Sequence, residues 1–320
     1  MPFRIDGGVV CAGNIVYDIL VRPVDATPWG TTTWVESIEP HLGGNGANSS
    51  FALAKLGVPV RLAGMVGPDS FGDHLLEILS AVGVDTSYVA RGAQPTATTV
   101  GLVHSSGARQ FLHQPGCSRE VFLEPIPFVP AFTGNASHFH LANIFGLPGM
   151  RPMGSANLRA ARDAGLTTSL DTGWDARGEW MRLLAPCLPH VDLLFVNEDE
   201  SRILSGTEDP PAAAKFFHEQ GVGNVVVKLG GEGCYVSTGA VAIRAHAFRV
   251  PVVDTTGAGD CFAGAFLAAL YHGYSIAGAA RLANAAGALN IQRLGASGGL
   301  LTLEQTLEWM NAKDELTFRK

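Results

Sequence analysis

The chain of 320 residues is poor in charged side chains, which make up only 16% of it. Its 22 lysines and arginines are outnumbered by 29 aspartates and glutamates, which gives a formal net charge of −7. Proteins that bind nucleic acid usually present a basic face, and the sequence contains no Lys/Arg cluster. Because 47% of the residues are hydrophobic, the composition predicts a large buried core and no nucleic-acid partner.

Cysteine is scarce as well, and long apolar runs are missing. The five cysteines, at positions 11, 117, 187, 234 and 261, have neither disulfide-framework nor zinc-type spacing. Cys11 and Cys234 fall in apolar runs and are predicted to be small core residues. The first residues contain no apolar run of signal length, and no stretch of about 18 apolar residues occurs. We therefore expect a cytoplasmic protein with no membrane partner.

Two common nucleotide-binding signatures are also missing, the phosphate loop G-x-x-x-x-G-K-[ST] and the dinucleotide fingerprint G-x-G-x-x-G. The most informative segment that is present reads VDTTGAGD, at residues 253–260. Apolar residues follow it at helical spacing: Phe262, Phe266, Leu267 and Leu270. We expect residues 248–253 to form a strand that enters a turn at residues 255–259, which we call the anion corner. Free N–H groups at the start of a helix attract anions, and glycines let a ligand approach the backbone.

Asp260 follows the anion corner directly. A carboxylate beside a phosphate site is suited to take a proton from a hydroxyl that attacks phosphorus. Taken alone, the segment also fits a structural interpretation, in which Thr255, Thr256 and Asp260 only cap a helix.

A second segment, residues 41–57, reads HLGGNGANSSFALAKLG. Three glycines and two asparagines precede an Ala/Leu-rich helix. Glycines give the backbone room, and Asn side chains offer donors and acceptors together, which suits the hydroxyls of a small polyol. The alternative is an Asn/Gly turn before a capped helix.

Together the two segments resemble the two motifs of the ribokinase-like (PfkB) family of carbohydrate kinases, in the family's order. Residues 13–18, the Asn-x-x-Glu segment at 197–200 and the turn KLGGEG at 228–233 also resemble this family, so the likeness covers residues 9–299. The resemblance implies an ATP-dependent kinase that phosphorylates a primary hydroxyl of a sugar or sugar-like polyol. It implies ATP and Mg²⁺ as cofactors, with K⁺ as an optional third ion.

The resemblance also implies roles for individual residues. Asp260 is the base, and Gly257, Ala258 and Gly259 supply N–H groups to the transferred phosphoryl. The residues implied for the sugar are Asn14, Asp18, Gly43, Gly44, Asn45, Asn48 and Asn143. Those implied for ATP are Asn197, Lys228, Gly230, Gly233, Thr256 and Asn284. The implied metal contacts are Glu200 for Mg²⁺, through water, and Asp254 with the Thr256 carbonyl for a monovalent cation.

Two positions depart from the pattern of ribokinases. Asn45 stands where they carry Lys, which argues against ribose as the substrate. Asn143 stands where they place Glu, and it either contacts the ligand or forms a structural turn. Structural alternatives also stay open for other residues. Asp18 would be an exposed loop residue, and Lys228 would be a snorkelling side chain at a sheet end. Asn197 and Glu200 would form a capping box.

The predicted fold class is α/β. Strand candidates alternate with helical patterns, which predicts βαβ units and a mostly parallel sheet. The strand candidates lie at 138–141, 167–170, 193–196, 224–229 and 248–253. Residues 9–20 are predicted as a buried strand interrupted by a polar turn. Polar residues that follow strand ends are expected to meet at one edge of the sheet: Asn143, Asp171, Asn197, Lys228 and Asp254.

The resemblance implies a ribokinase-like three-layer sandwich with a small β-sheet lid, in one kinase domain that spans residues 1–320. Two β-rich pieces lie outside the alternation, at about 21–40 and 95–114, and correspond to the predicted lid. The apolar residues of this lid would be exposed to water unless something packs on them; they are Val100, Leu102, Phe111 and Leu112. The lid of a second subunit would cover them, which predicts a homodimer.

Three competing functions are kept beside the sugar kinase. A nucleoside kinase of the same family would want an aromatic slot for the base, from Phe111 or Phe145. A phosphofructokinase-type role is less favoured, because a phosphosugar wants several cations and the predicted lid offers chiefly Arg109. A non-catalytic sugar-binding relative would not need the base Asp260.

Overall fold

A computed structural model of the chain describes residues 4–318. Within that range the chain forms the following strands: β1 (Gly8–Ala12), β2 (Val16–Arg22), β3 (Ser37–Gly43), β4 (Val60–Val66), β5 (Val84–Asp85), β6 (Val89–Arg91), β7 (Thr98–Val103), β8 (Arg109–Gln114), β9 (Ala136–Leu141), β10 (Thr167–Asp171), β11 (Leu193–Asn197), β12 (Asn224–Lys228), β13 (Cys234–Ser237) and β14 (Ala242–Ala245). The α-helices of the same range are α1 (Asn45–Lys55), α2 (Ser70–Ala81), α3 (Pro130–Thr133), α4 (Met150–Asp163), α5 (Met181–Leu184), α6 (Glu198–Ser205), α7 (Pro210–Glu219), α8 (Ala258–Tyr271), α9 (Ile276–Asn290) and α10 (Leu303–Phe318).

The larger sheet has the strand order β14-β13-β12-β11-β10-β9-β1-β4-β5, with β6 paired to β4. The ladder is parallel from β12 through β4 to β5, and it becomes antiparallel only where β13 and β14 extend the edge. Its central strands are continuous apolar runs, as expected for strands covered on both faces. The predicted mostly parallel α/β sheet is therefore confirmed.

Helices cover both faces of this sheet, which makes the predicted three-layer sandwich. Alternate residues of a strand point to opposite faces, so Val9 and Cys11 join one apolar cluster while Val10 and Ala12 join the other. Helices α1, α2, α8, α9 and α10 pack on the first cluster, and α4 and α7 pack on the second. All five cysteines are buried and unpaired, as predicted for Cys11 and Cys234.

A second sheet, the lid sheet, has the strand order β3-β2-β7-β8. The hairpin of β7 and β8 lies where the sequence predicted strands, and β3 overlaps the first β-rich piece. The predicted buried strand at 9–20 is in fact two strands, because the polar turn separates β1, in the large sheet, from β2, in the lid sheet. The lid sheet therefore begins at Val16, ahead of the predicted 21–40.

The strand expected at residues 248–253 does not form. The segment has no ladder partner among the described residues, and Val253 donates its N–H to the Ile291 carbonyl at the end of α9 instead. Pro251 has no N–H to give to a ladder, and Val252 and Val253 are exposed. The edge of the large sheet is completed by β13 and β14, which the strand pattern missed.

Within the described residues, no helix has both the length and the apolar character needed to cross a membrane.

Candidate active site

Four polar residues meet at the carboxyl edge of the large sheet, as predicted. Asn143 follows β9, Asp171 ends β10, Asn197 ends β11 and Lys228 ends β12. Asp254 joins them from an irregular segment rather than from a strand end. Parallel strands bring their carboxyl ends to one edge, so distant positions in the sequence become neighbours there.

Asp260 is buried in the first turn of α8, and two asparagines hold its carboxylate. Asn45 Nδ2 donates to Oδ1 at 2.8 Å, and Asn48 Nδ2 donates to Oδ2 at 2.9 Å. Burial raises the pKa of Asp260 above its ordinary value, although these two hydrogen bonds and the charge of Lys228 act in the opposite direction. The arrangement fixes the orientation of the carboxylate and makes it a stronger base than an exposed aspartate.

Asn45 is the centre of a relay of side-chain amides. Its Oδ1 accepts from Asn143 Nδ2 at 2.8 Å, while its own Nδ2 faces Asp260. Asn143 Oδ1 accepts the backbone N–H groups of Phe145 and Gly146, so Asn143 also forms the structural turn that was its alternative interpretation. The relay orients Asp260 from a distant strand end.

Asn48 presents a buried acceptor beside the base. Its Nδ2 is used by Asp260, and none of the described residues donates to its Oδ1. A buried carbonyl oxygen without a donor costs free energy unless a ligand supplies one. A hydroxyl group bound at Asp260 would meet this requirement.

The glycine pair before α1 makes room for two other residues of the predicted sugar site. A Cβ on Gly43 would lie 2.1 Å from Asp18 Oδ2, and one on Gly44 would lie 2.5 Å from the Asn14 carbonyl oxygen. Gly44 also has φ 92°, in the left-handed region. Asn14 Oδ1 accepts the Asn45 N–H at 3.1 Å, which fixes the start of α1.

Asp18 lies on β2, on the face of the lid sheet that points toward the large sheet. In register, it stands between His41 of β3 and Thr99 of β7. Burial raises the pKa of Asp18 to about 6, partly offset by a hydrogen bond to Thr99. Asp18 is therefore a partly buried carboxylate of the lid sheet rather than an exposed loop residue.

The anion corner has the geometry expected of an anion site. Gly257 caps α8 with φ 69° and has no side chain to occupy the first N–H groups of the helix. A Cβ on Gly257 would lie 2.4 Å from the Ala296 carbonyl oxygen, so only glycine fits. The N–H groups at Gly259 and Asp260 therefore face outward from the start of a helix of 14 residues.

Lys228 lies next to the anion corner and forms a buried ion pair. Its ammonium donates to both carboxylate oxygens of Asp171, at 2.9 and 2.7 Å. A Cβ on Gly259 would lie 3.3 Å from the Lys228 Nζ atom. Burial opposes the charge, but the carboxylates of Asp171 and Glu200 outweigh it and raise the pKa of Lys228. An ammonium has three donors, so one remains for a ligand at the corner.

Asn197 and Glu200 form the capping box of α6, which was their structural interpretation. Asn197 Oδ1 accepts the Glu200 N–H, and Glu200 Oε2 accepts the Asn197 N–H and the hydroxyl of Thr172. These bonds use only one carboxylate oxygen of the buried Glu200 and leave Oε1 for another ligand. A carboxylate with one free oxygen fits a magnesium ion held through water, because Mg²⁺ keeps most of its water ligands.

The remaining residues predicted for ATP differ in their surroundings. A Cβ on Gly230 would meet open space, so this turn leaves room for a ligand. Gly233 has φ 95°, and a Cβ there would lie 2.0 Å from the Ala245 carbonyl oxygen, so its glycine is required by packing. Asn284 donates to the carbonyls of Ala245 and His246 and ties α9 to the end of β14.

The oxygens assigned to a monovalent cation already hold donors of this chain. Asp254 accepts from Arg109, from the N–H and hydroxyl of Thr256, and from the Gly295 N–H. The Thr256 carbonyl accepts from Asn290 Nδ2 at 3.0 Å. Burial opposes ionisation of Asp254, but these hydrogen bonds and the Arg109 charge lower its pKa.

Sequence reasoning assigned no catalytic or binding role to Asp171, Arg109 or His41. Asp171 had a signal, since an acidic residue that ends a buried strand needs a partner. The contact between Arg109 and Asp254 spans 145 residues and had no local signal. Phe145, considered for a nucleoside slot, is buried against Trp180 in the core.

Comparisons with known proteins return carbohydrate kinases. A family profile described as pfkB family carbohydrate kinase matches residues 8–303. The 2-dehydro-3-deoxygluconokinase of Bacillus subtilis (strain 168) is 29% identical over 304 residues, which covers 90% of this chain and 92% of the relative.

Solved structures show the same fold. The ribokinase of Arabidopsis thaliana, complexed with ribose and ATP, superposes with a TM-score of 0.83 and is 28% identical, covering 95% of this chain and 98% of its own. An E. coli protein provisionally named ribokinase II, in complex with ATP and Mg²⁺, has a TM-score of 0.82 and 25% identity, over 96% and 99% of the two chains.

Proposed function

Because the chain belongs to the pfkB family of carbohydrate kinases and is an ATP-dependent sugar kinase, we propose that Asp260 is its base and that a neutral polyol is its acceptor. One observation carries this proposal. Asp260 is buried at the start of α8, held by Asn45 and Asn48, beside helix N–H groups that no side chain caps. A non-catalytic sugar-binding protein needs no such carboxylate.

The reaction follows from these positions. The acceptor hydroxyl lies at Asp260, which removes its proton as the hydroxyl oxygen forms a bond to the γ-phosphorus of ATP. The bond from that phosphorus to the β–γ bridging oxygen breaks, and the charge leaves on ADP. The N–H groups of Gly257 and Gly259 are assigned to the transferred phosphoryl together with the third donor of Lys228, whereas the Ala258 N–H already donates to the Thr255 carbonyl at 3.3 Å.

The sugar is held from both sheets. Asp18 approaches from β2 of the lid sheet and Asn14 from the turn between β1 and β2, and Asn48 Oδ1 accepts a hydroxyl hydrogen beside the base. A carboxylate binds a pair of vicinal hydroxyls, because each of its oxygens accepts one hydrogen. The lid sheet covers the bound sugar and keeps water from competing for the phosphoryl group.

ATP lies along the turn after β12, where Gly230 leaves open space, and reaches the anion corner at Thr256. Asn197 and Asn284 are proposed neighbours of the nucleotide, although both are already used within the fold. Mg²⁺, held through water at Glu200 Oε1, would neutralise charge on the ATP phosphates. K⁺ is not part of this proposal.

The charges near the site favour a neutral acceptor over an acidic or phosphorylated sugar. Arg109 faces Asp254, and Lys228 faces Asp171. Both positive charges are therefore already compensated, and the one Lys228 donor that remains is assigned to the transferred phosphoryl rather than to the sugar. Asp18, Asp254 and Asp260 would repel such a group at close range.

The lid sheet also supports the proposal of a homodimer. Its outer face carries apolar side chains, of which Ile38 and Leu112 are 64% and 56% exposed. Two such faces packed together about a two-fold axis would remove them from water. The five buried, unpaired thiols support a reducing, cytoplasmic location.

An acceptor screen combined with Asp260→Asn tests the function. We expect the wild type to transfer phosphate from ATP to at least one neutral sugar or polyol. The Asn variant should lose at least about 100-fold in kcat and keep its ATP affinity within a few-fold, because the carboxylate acts on the acceptor.

The matched control is Asp163→Asn, at an exposed aspartate that ends α4. It should leave kcat unchanged. Near-normal turnover by the Asp260 variant would exclude Asp260 as the base. An enzyme that accepts only acidic sugars would exclude the neutral acceptor and leave the base intact.

A further inference from the structure

Arg109 reaches from the lid sheet to the anion corner. It begins β8, and its guanidinium donates to the Asp254 carboxylate and to the hydroxyls of Thr255 and Thr256. These residues immediately precede Gly257, the cap of α8. A positive charge from the lid sheet is thus placed beside the turn that precedes α8.

The donors around Asp254 leave little place for a metal cation. Its Oδ1 accepts from Arg109 and twice from Thr256, at 2.9 and 2.7 Å, and its Oδ2 accepts from Gly295 at 2.9 Å. A cation must compete with these N–H and O–H donors for the lone pairs of the same oxygens, and Arg109 already compensates the charge of the carboxylate. The carboxylate side chain is only 3% exposed, which leaves little room for a further ligand.

The backbone carbonyl oxygens of residues 256, 291 and 296 also accept hydrogen bonds from this chain. The Thr256 carbonyl accepts from Asn290, the Ile291 carbonyl accepts from Val253 and Asp254, and the Ala296 carbonyl accepts the Cys261 thiol at 3.1 Å. A monovalent cation needs several such oxygens at once. The residues that would hold it are instead bonded to each other and to Arg109.

We propose that the Arg109 guanidinium supplies the positive charge that a monovalent cation would supply at this corner, so that the kinase does not require K⁺. The inference rests on the proposed function of the anion corner. A guanidinium stays charged at every relevant pH, and its planar set of donors matches one carboxylate and two hydroxyls.

The first test compares salts. Activity of the full chain is measured in KCl and in tetramethylammonium chloride at equal ionic strength, for the wild type, Arg109→Ala, Arg109→Met and Arg22→Ala. Arg22 is an exposed arginine at the end of β2 and serves as the matched control. Arg109→Met keeps most of the apolar stem, in case the alanine variant folds poorly.

We expect kcat/KM of the wild type and of Arg22→Ala to agree within about twofold between the two salts. Both Arg109 variants should lose at least about tenfold in tetramethylammonium chloride, and K⁺ or added guanidinium should restore part of this loss. Strong stimulation of the wild type by K⁺, full activity of the variants without K⁺, or a loss that neither cation restores would each overturn the proposal.

The second test does not depend on turnover. Thermal unfolding of the wild type should give the same Tm in both salts, while the Arg109 variants should gain a Tm rise specific to K⁺, because one donor fewer competes for the Asp254 carboxylate and its charge is no longer paired with a guanidinium. A K⁺-specific rise in the wild type would contradict the proposal. If the acceptor screen finds no activity in any salt, the proposed function fails, and the unfolding comparison still decides the cation site.

Discussion

At the scale of single residues, the site depends on carboxylates whose surroundings shift their pKa values in different directions. Asp260 is buried between two amides, Asp254 is surrounded by donors, and Asp18 is partly buried on the lid sheet. These three carboxylates share one region, yet the physical causes of their pKa shifts differ. Carboxylates of one site can take different roles when their surroundings shift their pKa values apart.

Asp18 gives a pH-dependent sugar affinity. Its pKa is raised to about 6 by burial, so it is protonated below that pH and ionised above it. The ionised form accepts two hydroxyl hydrogens, and the protonated form does not. We expect KM for the sugar to rise as the pH falls through about 6, with KM for ATP unchanged. Asp18→Asn should show a raised KM and no pH dependence in this range.

The stability of the folded protein depends on pH in the opposite direction to the sugar affinity. The folded-state pKa of about 6 exceeds the ordinary aspartate value of 3.8, so the stability contributed by Asp18 is present below the lower value and is lost as the pH rises through the higher one. Asp18→Asn should therefore raise the Tm of the free protein at about pH 8 and leave it unchanged below about pH 4. A flat Tm difference would contradict this account of Asp18.

At the scale of elements, the site depends on how closely α1 and α8 pack, because Asn45 and Asn48 come from one helix and Asp260 from the other. Gly46 lets α1 lie close to the turn after β1, because a Cβ there would lie 2.6 Å from the Gly13 Cα atom. Gly264 lets α8 approach α1, because a Cβ there would lie 2.7 Å from the Ala52 Cβ atom. Small residues at this contact bring the amides within hydrogen-bonding distance of the base.

A pair of glycine substitutions tests this packing. Gly264→Ala should lower the free energy of unfolding by about 1–3 kcal/mol, because the added methyl group pushes the helices apart. It should also lower kcat, since Asn48 moves away from Asp260. Urea unfolding and steady-state kinetics measure both effects.

Gly287→Ala is the matched control, in the neighbouring helix α9. A Cβ there would meet its nearest atom, the Ala258 carbonyl oxygen, at 3.8 Å, which is an ordinary contact. It should stabilise the protein by about 0.5–1 kcal/mol, because alanine favours a helix over glycine. Equal effects of the two substitutions would show that the helix contact at Gly264 is not tight.

At the scale of the whole molecule, two sheets enclose the site, and the smaller one has an apolar outer face. Side chains alternate along its strands, so Asp18, Thr99 and Arg109 lie on the inner face while Ile38 and Leu112 lie on the outer face. The inner face is thus bound through Arg109 to the segment that precedes α8. The outer face is the one that we propose a second subunit covers.

The proposed homodimer predicts a mass near twice 33.6 kDa by light scattering at micromolar concentration. Leu112→Glu should reduce the mass to that of one chain, because a carboxylate placed in an apolar contact costs more than the contact gains. Val241→Glu, at an apolar residue that is 60% exposed between β13 and β14, is the matched control and should leave the dimer intact. A wild type of one chain mass would exclude the dimer.

The family, the α/β fold, most of the strands and the candidate for the base could all be predicted from the order of the amino acids. These signals are local: an apolar run of five residues, a helical spacing, or two glycines at a helix start act over a few neighbours. The motif around Asp260 and the asparagines of residues 41–57 were therefore recognisable from the order of the amino acids alone.

Only the tertiary structure decided which of these residues meet. Asn45 bonds to Asp260 across 215 residues, and Arg109 bonds to Asp254 across 145. It also decided that residues 248–253 form no strand, since a ladder needs a neighbour with free N–H and C=O groups. Such contacts depend on how the sheets and helices pack, and the neighbours of a residue in the sequence do not specify that packing.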